Sequence, residues 1–129
     1  MNGPCRTGAD IADVERVAGL VRNERAEHRV YTEAERALCH SAARPEEEFA
    51  RLWALKEAVL KALGVGWSGG VSWVDVGVSR AGRVYSVTLS GAAKRIADEL
   101  GVTGWSVCAD STRKLATGFA MALLERNET

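Results

Sequence analysis

The chain has 129 residues, with 17 lysines and arginines against 17 aspartates and glutamates, so its formal net charge is zero. That length suits one domain with a real core, and the balanced charge gives no bulk argument for nucleic acid or a membrane surface as partner. No apolar run is long enough to span a bilayer, and Met1-Asn2-Gly3-Pro4-Cys5 lacks the basic and apolar regions of a signal peptide.

In chain order, a short strand-like entry runs into Gly8-Ala9-Asp10. A helix is expected next, with Ile11, Val14, Val17, Ala18 and Val21 at helical spacing. Arg16, Arg22, Arg25 and Arg29 crowd this segment, interrupted by Glu15, Glu24 and Glu27. Thr32 reads as an N-cap, with Glu35 completing a capping box for a helix over 33–42. Pro45 and Glu46-Glu47-Glu48 suit the first turn of the next helix, where negative charge complements the dipole. That helix runs to Leu63 and stops at Gly64.

The period then changes. Val71 to Val78 alternates like a strand, Ala81-Gly82 is a turn signal, and Arg83 to Leu89 alternates again, which predicts a hairpin. Ser90 can cap a helix carrying Ala93, Ile96, Ala97 and Leu100, with Gly101 past its end. Trp105 to Ala109 and Leu115 to Leu124 read as two strands around a turn at Ser111-Thr112-Arg113-Lys114. The order β-α-α-α-β-β-α-β-β gives an α+β fold: three N-terminal helices on a mostly antiparallel sheet, one domain over 1–129. Cys5, Cys39 and Cys108 are widely spaced and form no C-x-x-C, so neither a zinc motif nor a disulfide framework is expected. Reduced thiols in a cytoplasmic protein fit that usage.

The segment Trp53-Ala54-Leu55-Lys56-Glu57-Ala58-Val59-Leu60-Lys61-Ala62-Leu63-Gly64 holds most of the chemistry. At ~100° per residue, Phe49, Leu52, Trp53, Val59, Leu60 and Leu63 share one broad apolar arc. Lys56 projects into its middle, where a charge must be paired or snorkel. Glu57 and Lys61 lie one turn apart on the flank. Ala50 and Ala54 share that flank, which would leave room for a ligand. The plain reading of Glu57 and Lys61 is a surface pair worth only ~0.2–0.5 kcal/mol. The plain reading of Asp10 is a helix cap. If Asp10 and Glu57 converge, two carboxylates without a His or Cys pair favour a hard cation, Mg²⁺ before others.

Gly8-Ala9-Asp10 and, later, Trp53-x-x-Lys56-Glu57-x-x-x-Lys61 together resemble the paired signature of 4′-phosphopantetheinyl transferases of the small, holo-acyl-carrier-protein synthase type. The continuation Ala62-Leu63-Gly64-Val65-Gly66 and the later hairpin, helix and strand pair are similar too, so the resemblance covers nearly the whole chain. It implies transfer of phosphopantetheine from coenzyme A to a serine of an apo acyl carrier protein, releasing 3′,5′-ADP. It implies Asp10 and Glu57 as Mg²⁺ ligands; the base stays open between Glu57, a metal-bound water, and Asp110 or Ser111 in place of a histidine. It implies Lys61 on phosphate as a point charge. Arg51, Lys56, Gly64, Gly66, Ser111 and Thr112 are the further coenzyme A contacts it suggests, Lys56 either touching phosphate or holding the site. Arg16, Arg22, Arg25 and Arg29 fall where the family meets its acidic carrier protein; a solvated Glu-Arg face is the plain alternative. A homotrimer with sites between subunits is also implied.

The chain departs from the family pattern at two places. Asp110-Ser111-Thr112 aligns with a turn where many relatives carry a histidine, and His28 and His40 lie far from it. Val84 stands where some relatives have a proline. These departures leave an alternative: a coenzyme A or carrier-protein binding module of the same fold without turnover. They also suggest a member dedicated to a specialised polyketide or peptide pathway rather than fatty acid synthesis.

Overall fold

The computed structural model describes residues 4–66 and 70–126; the first three positions of the N-terminal segment, and residues 67–69 and 127–129, lie outside the described residues. The elements are β1 (Cys5–Asp13), α1 (Val14–Val21), α2 (Glu24–Val30), α3 (Glu33–His40), α4 (Pro45–Leu63), a 3₁₀ turn (Trp73–Asp75), β2 (Val76–Ala81), β3 (Val84–Leu89), α5 (Gly91–Leu100), β4 (Val102–Ser111) and β5 (Leu115–Leu124). Strands β1, β5 and β4 form an antiparallel sheet with β5 central, and β2 and β3 form a separate antiparallel hairpin. The α+β class holds.

The expected first helix forms as α1, but it starts at Val14 rather than near Ile11, and a second short helix, α2, follows it. Strand β1 continues through Ile11, which is 67% exposed, and Asp13 rather than Asp10 caps α1 by accepting the Arg16 N–H at 3.0 Å. Asn23 accepts the Ala26 N–H and starts α2. Asp13 and Asn23 each cap one of these two short helices. Four helices therefore precede the hairpin, not three. Thr32 and Glu35 form the capping box of α3 as expected. The first hairpin strand begins only at Val76, because the preceding residues close into the 3₁₀ turn.

Helix α4 is the axis of the molecule. Its end is set by Gly64, whose φ of 75° lets its N–H reach the Leu60 and Lys61 carbonyls. The sheet lies unusually close to it. A β-carbon on Gly8 would stand 2.0 Å from the Ala58 carbonyl oxygen, and one on Gly118 would stand 2.6 Å from Leu55 N. The inward face of β5 is accordingly small: Ala116, Gly118, Ala120 and Ala122 are all buried. Its outward face carries Leu115, Phe119 and Leu123, each at least 39% exposed. Ala50 and Ala54 are fully buried under this packing, so the ligand-accessible flank expected there does not exist.

Candidate functional site

Gly8 and Asp10 share the inward face of β1, since side chains alternate along a strand. The absent side chain at Gly8 brings β1 against α4, and that approach carries Asp10 to the C-terminal turns of the helix. There Lys61 Nζ donates to Asp10 Oδ1 at 2.8 Å and to the Ala9 carbonyl at 3.1 Å. The hydrogen bond to Asp10 raises the Lys61 pKa, with smaller help from the Asp10 and Glu57 charges. Lys61 remains half exposed. Asp10 thus meets Lys61 on the flank of α4 that also carries Glu57 one turn earlier; the helical spacing paired Glu57 with Lys61, while the approach of Asp10 comes from the fold. The donors of this group are carboxylate and carbonyl oxygens. Among the described residues no three or more His, Cys, Asp or Glu side chains cluster for a metal. A pair of carboxylates suits Mg²⁺, which completes its shell with water and phosphate oxygens.

Lys56 does not join this group. It is fully buried, 2.8 Å from Glu35 Oε1, and donates to the Trp73 and Val76 carbonyls. An ammonium has three donors, and the protein interior takes all three. Burial lowers its pKa, and the Glu35 charge opposes that shift. Glu35 also accepts the Val78 N–H at 2.7 Å and the Thr32 N–H at 2.7 Å. The expected phosphate contact at Lys56 is therefore corrected: the side chain ties α4 to α3, the 3₁₀ turn and β2.

Arg51 lies on the other flank, beside β4. It donates to Tyr85 Oη at 3.0 Å, to Glu48 Oε1 at 3.0 Å and to Ser111 Oγ. Ser111 Oγ also donates to Glu47 Oε1 at 2.9 Å. Arg51, Arg80, Arg83, Tyr85, Ala109 and Asp110 line a cleft of about 350 Å³. Asp110 and Ser111 are strand residues, and the turn comprises 112–114, where Thr112 Oγ1 accepts the Lys114 and Leu115 N–H groups. Gly64 is an exposed helix stop, and Gly66 is exposed beyond it.

The sequence reading missed Glu48, Arg80 and Tyr85. By sequence Glu48 is a first-turn dipole residue of α4, yet it is fully buried and accepts from Arg51, Arg80 and Tyr85 Oη. Its spacing of three from Arg51 was the available signal.

Arg16, Arg22, Arg25 and Arg29 are all exposed, spread over α1, the link and α2. Beside them Ile11, Ala12, Asp13, Arg16, Val17, Leu20 and Trp53 line a groove of about 240 Å³.

Residues 6–121 match the family model of the 4′-phosphopantetheinyl transferase superfamily. The chain is 36% identical over 123 residues to a holo-[acyl-carrier-protein] synthase of Solibacter usitatus, covering 92% of this chain and 96% of that one. It is 41% identical over 98 residues to one of Koribacter versatilis, covering 74% and 78%. The crystal structure of Helicobacter pylori holo-[acyl-carrier-protein] synthase in complex with coenzyme A superposes with a TM-score of 0.74 at 25% identity, covering 88% of this chain and 96% of that one.

Proposed function

The chain belongs to the 4′-phosphopantetheinyl transferase superfamily, and from that membership we propose how its residues divide the work. It transfers 4′-phosphopantetheine from coenzyme A to a serine of an apo acyl carrier protein and releases 3′,5′-ADP. Relatives that carry the enzyme's name over nearly their whole length favour this over a binding module without turnover.

The observation that carries the mechanism is the meeting of Asp10 with Lys61, one helical turn from Glu57. The diphosphate of coenzyme A sits at this group. The serine oxygen attacks the phosphorus on the pantetheine side, and the bond from that phosphorus to the bridging oxygen breaks. The serine proton leaves to a carboxylate of the pair or to water, and the electron pair leaves on 3′,5′-ADP. Lys61 faces the leaving phosphate as a point charge. Asp10 and Glu57 would hold Mg²⁺, which when bound would supply charge neutralisation to the leaving group. Arg51 and Thr112 face a second phosphate of coenzyme A, while Ser111, whose hydroxyl proton goes to Glu47, accepts from Arg51 and helps to hold it. The four arginines meet the acidic carrier protein beside the Ile11-Leu20-Trp53 groove, chiefly raising encounter rate and specificity.

The two groups stand on opposite edges of one sheet, β1 and β4, with β5 and α4 between them. Two strand spacings are ~10 Å, while the diphosphate and 3′-phosphate hang on one ribose. A site completed between copies of this chain, the β1 edge of one facing the β4 edge of another, would bring both groups onto one coenzyme A. Outward Ile11, Phe119 and Leu123 give those copies an apolar face to bury. A cytoplasmic homotrimer, each copy one transferase domain over 1–129, fits this reading; three free thiols suit that compartment. Intact mass spectrometry of an apo carrier protein with this chain, coenzyme A and Mg²⁺ tests the mechanism. A gain of one phosphopantetheine, lost with chelator and with Asp10→Ala or Glu57→Ala, is expected. Full modification by Asp10→Ala would remove the assigned site. Sedimentation as a monomer at working concentration would remove the shared one.

A further inference from the structure

We propose that Glu48, with Tyr85, is a positioning residue that fixes Arg51 and Arg80 as a guanidinium pair for the 3′-phosphate of coenzyme A. The proposal rests on the reading of the Arg51 cleft given above. Glu48 is fully buried, yet its Oε1 accepts from both Arg51 and Arg80, and its Oε2 accepts the Tyr85 hydroxyl at 2.7 Å. Two guanidiniums drawn to one oxygen would repel each other without the charge between them. Tyr85 closes the arrangement, because its hydroxyl donates to Glu48 and accepts from Arg51 Nε. The Arg80 guanidinium lies 5.1 Å from the Tyr85 ring centre, and its Nε donates to the Gly82 carbonyl.

The N–H count then matters. Each guanidinium has five donors. Arg51 places three on protein and Arg80 two. The others belong to side chains that line one cleft together with Arg83. Asp110 lines it too, but its Oδ1 accepts the Ser111 N–H at 2.8 Å. Glu47 Oε1 also stands 3.9 Å from Arg51, so the three guanidiniums are balanced by the carboxylates of Glu47, Glu48 and Asp110, and what the cleft offers an anion is oriented N–H donors rather than net charge. A pair of forks held in fixed orientation suits a terminal phosphate dianion, whose oxygens can be bound two at a time. Rotamer freedom of long side chains is normally lost on binding; here the protein has already removed it.

The test compares coenzyme A with dephospho-coenzyme A, which lacks only the 3′-phosphate, by kcat/KM with apo carrier protein and Mg²⁺. The native chain should prefer coenzyme A at least tenfold, and Arg51→Ala should bring the ratio near one. No preference in the native chain, or an unchanged ratio in Arg51→Ala, would sink the cleft reading itself. With that reading intact, Glu48→Gln should lower the ratio at least fivefold, through KM for coenzyme A. A native ratio in Glu48→Gln, or equal losses on both substrates, would overturn the positioning role. Should Glu48→Gln fail to fold, Tyr85→Phe decides. A threefold or greater fall in the ratio supports the proposal, and a native ratio overturns it.

Discussion

Replacing Lys56 by Met tests whether the first lysine of the signature serves the ligand or the fold. The substitution keeps length and removes the ammonium, so Glu35 stays buried without its charge partner. Breaking a buried pair by removing one member costs about 3–5 kcal/mol. The Trp73 and Val76 carbonyls also lose a donor, which places the expectation toward the upper end. With about 2.1 cal/mol/K per residue of unfolding entropy, 129 residues give about 0.27 kcal/mol/K, so Tm should fall by about 10–20 °C. Urea unfolding followed by tryptophan fluorescence reads the free energy. The double variant Lys56→Met with Glu35→Gln should recover part of the loss, since no lone charge remains, although one of the Thr32 and Val78 N–H groups then loses its acceptor to the amide NH₂. The reasoning is refuted if Lys56→Met stays within ~0.5 kcal/mol of native while transfer collapses. That result would mean the ammonium reaches the ligand after all.

Three other expectations follow from the same geometry. Gly118→Ala pushes a β-carbon to 2.6 Å from the α4 backbone; the strand must retreat, costing about 1–3 kcal/mol or more, and native stability by urea unfolding would contradict this. Burial, then the hydrogen bond and charge of Glu48, push the Tyr85 hydroxyl up to about 12. A raised pKa stabilises fully below the unfolded value near 10 and is lost as pH climbs to 12, at about 1.4 kcal/mol per pH unit. Tyr85→Phe should flatten the alkaline fall of the urea midpoint by one proton, and an unchanged slope would tell against it. Reversing Arg25 and Arg29 to Glu should raise KM for an acidic carrier protein several-fold and weaken its salt dependence; a rise in KM for coenzyme A instead would move these arginines to the cofactor.

Most of this fold could be read from local chemistry. The capping box at Thr32, Pro45 at the head of α4, Gly64 and Gly101 at helix ends and the Ala81-Gly82 turn each act through their neighbours, and each stands where expected. The misreadings have tertiary causes. Ile11 fits a helical stripe, but pairing of β1 with β5 gives its backbone a partner along the sheet, and Asp13 can cap as well as Asp10. Ala50 and Ala54 look like an open flank on a helical wheel, since nothing local says that a strand of alanines and glycines lies on them.

Lys56 and Lys61 show the limit most clearly. Both belong to one signature, five residues apart, and periodicity puts both on the same helix. Only the covering elements separate them: β2 and the 3₁₀ turn close over Lys56, while β1 ends its approach beside Lys61 and leaves that amine half in water. Glu48 and Glu57 divide the same way. One carboxylate is sealed among Arg51, Arg80 and Tyr85, and the other sits partly exposed near Lys61. A buried charge on α4 thus orients other side chains, and an exposed one is left open to the phosphate and metal roles proposed above. Which charge does which is decided by strands at opposite edges of the sheet, and this is why a motif confined to one helix names the reaction but not the division of labour within it.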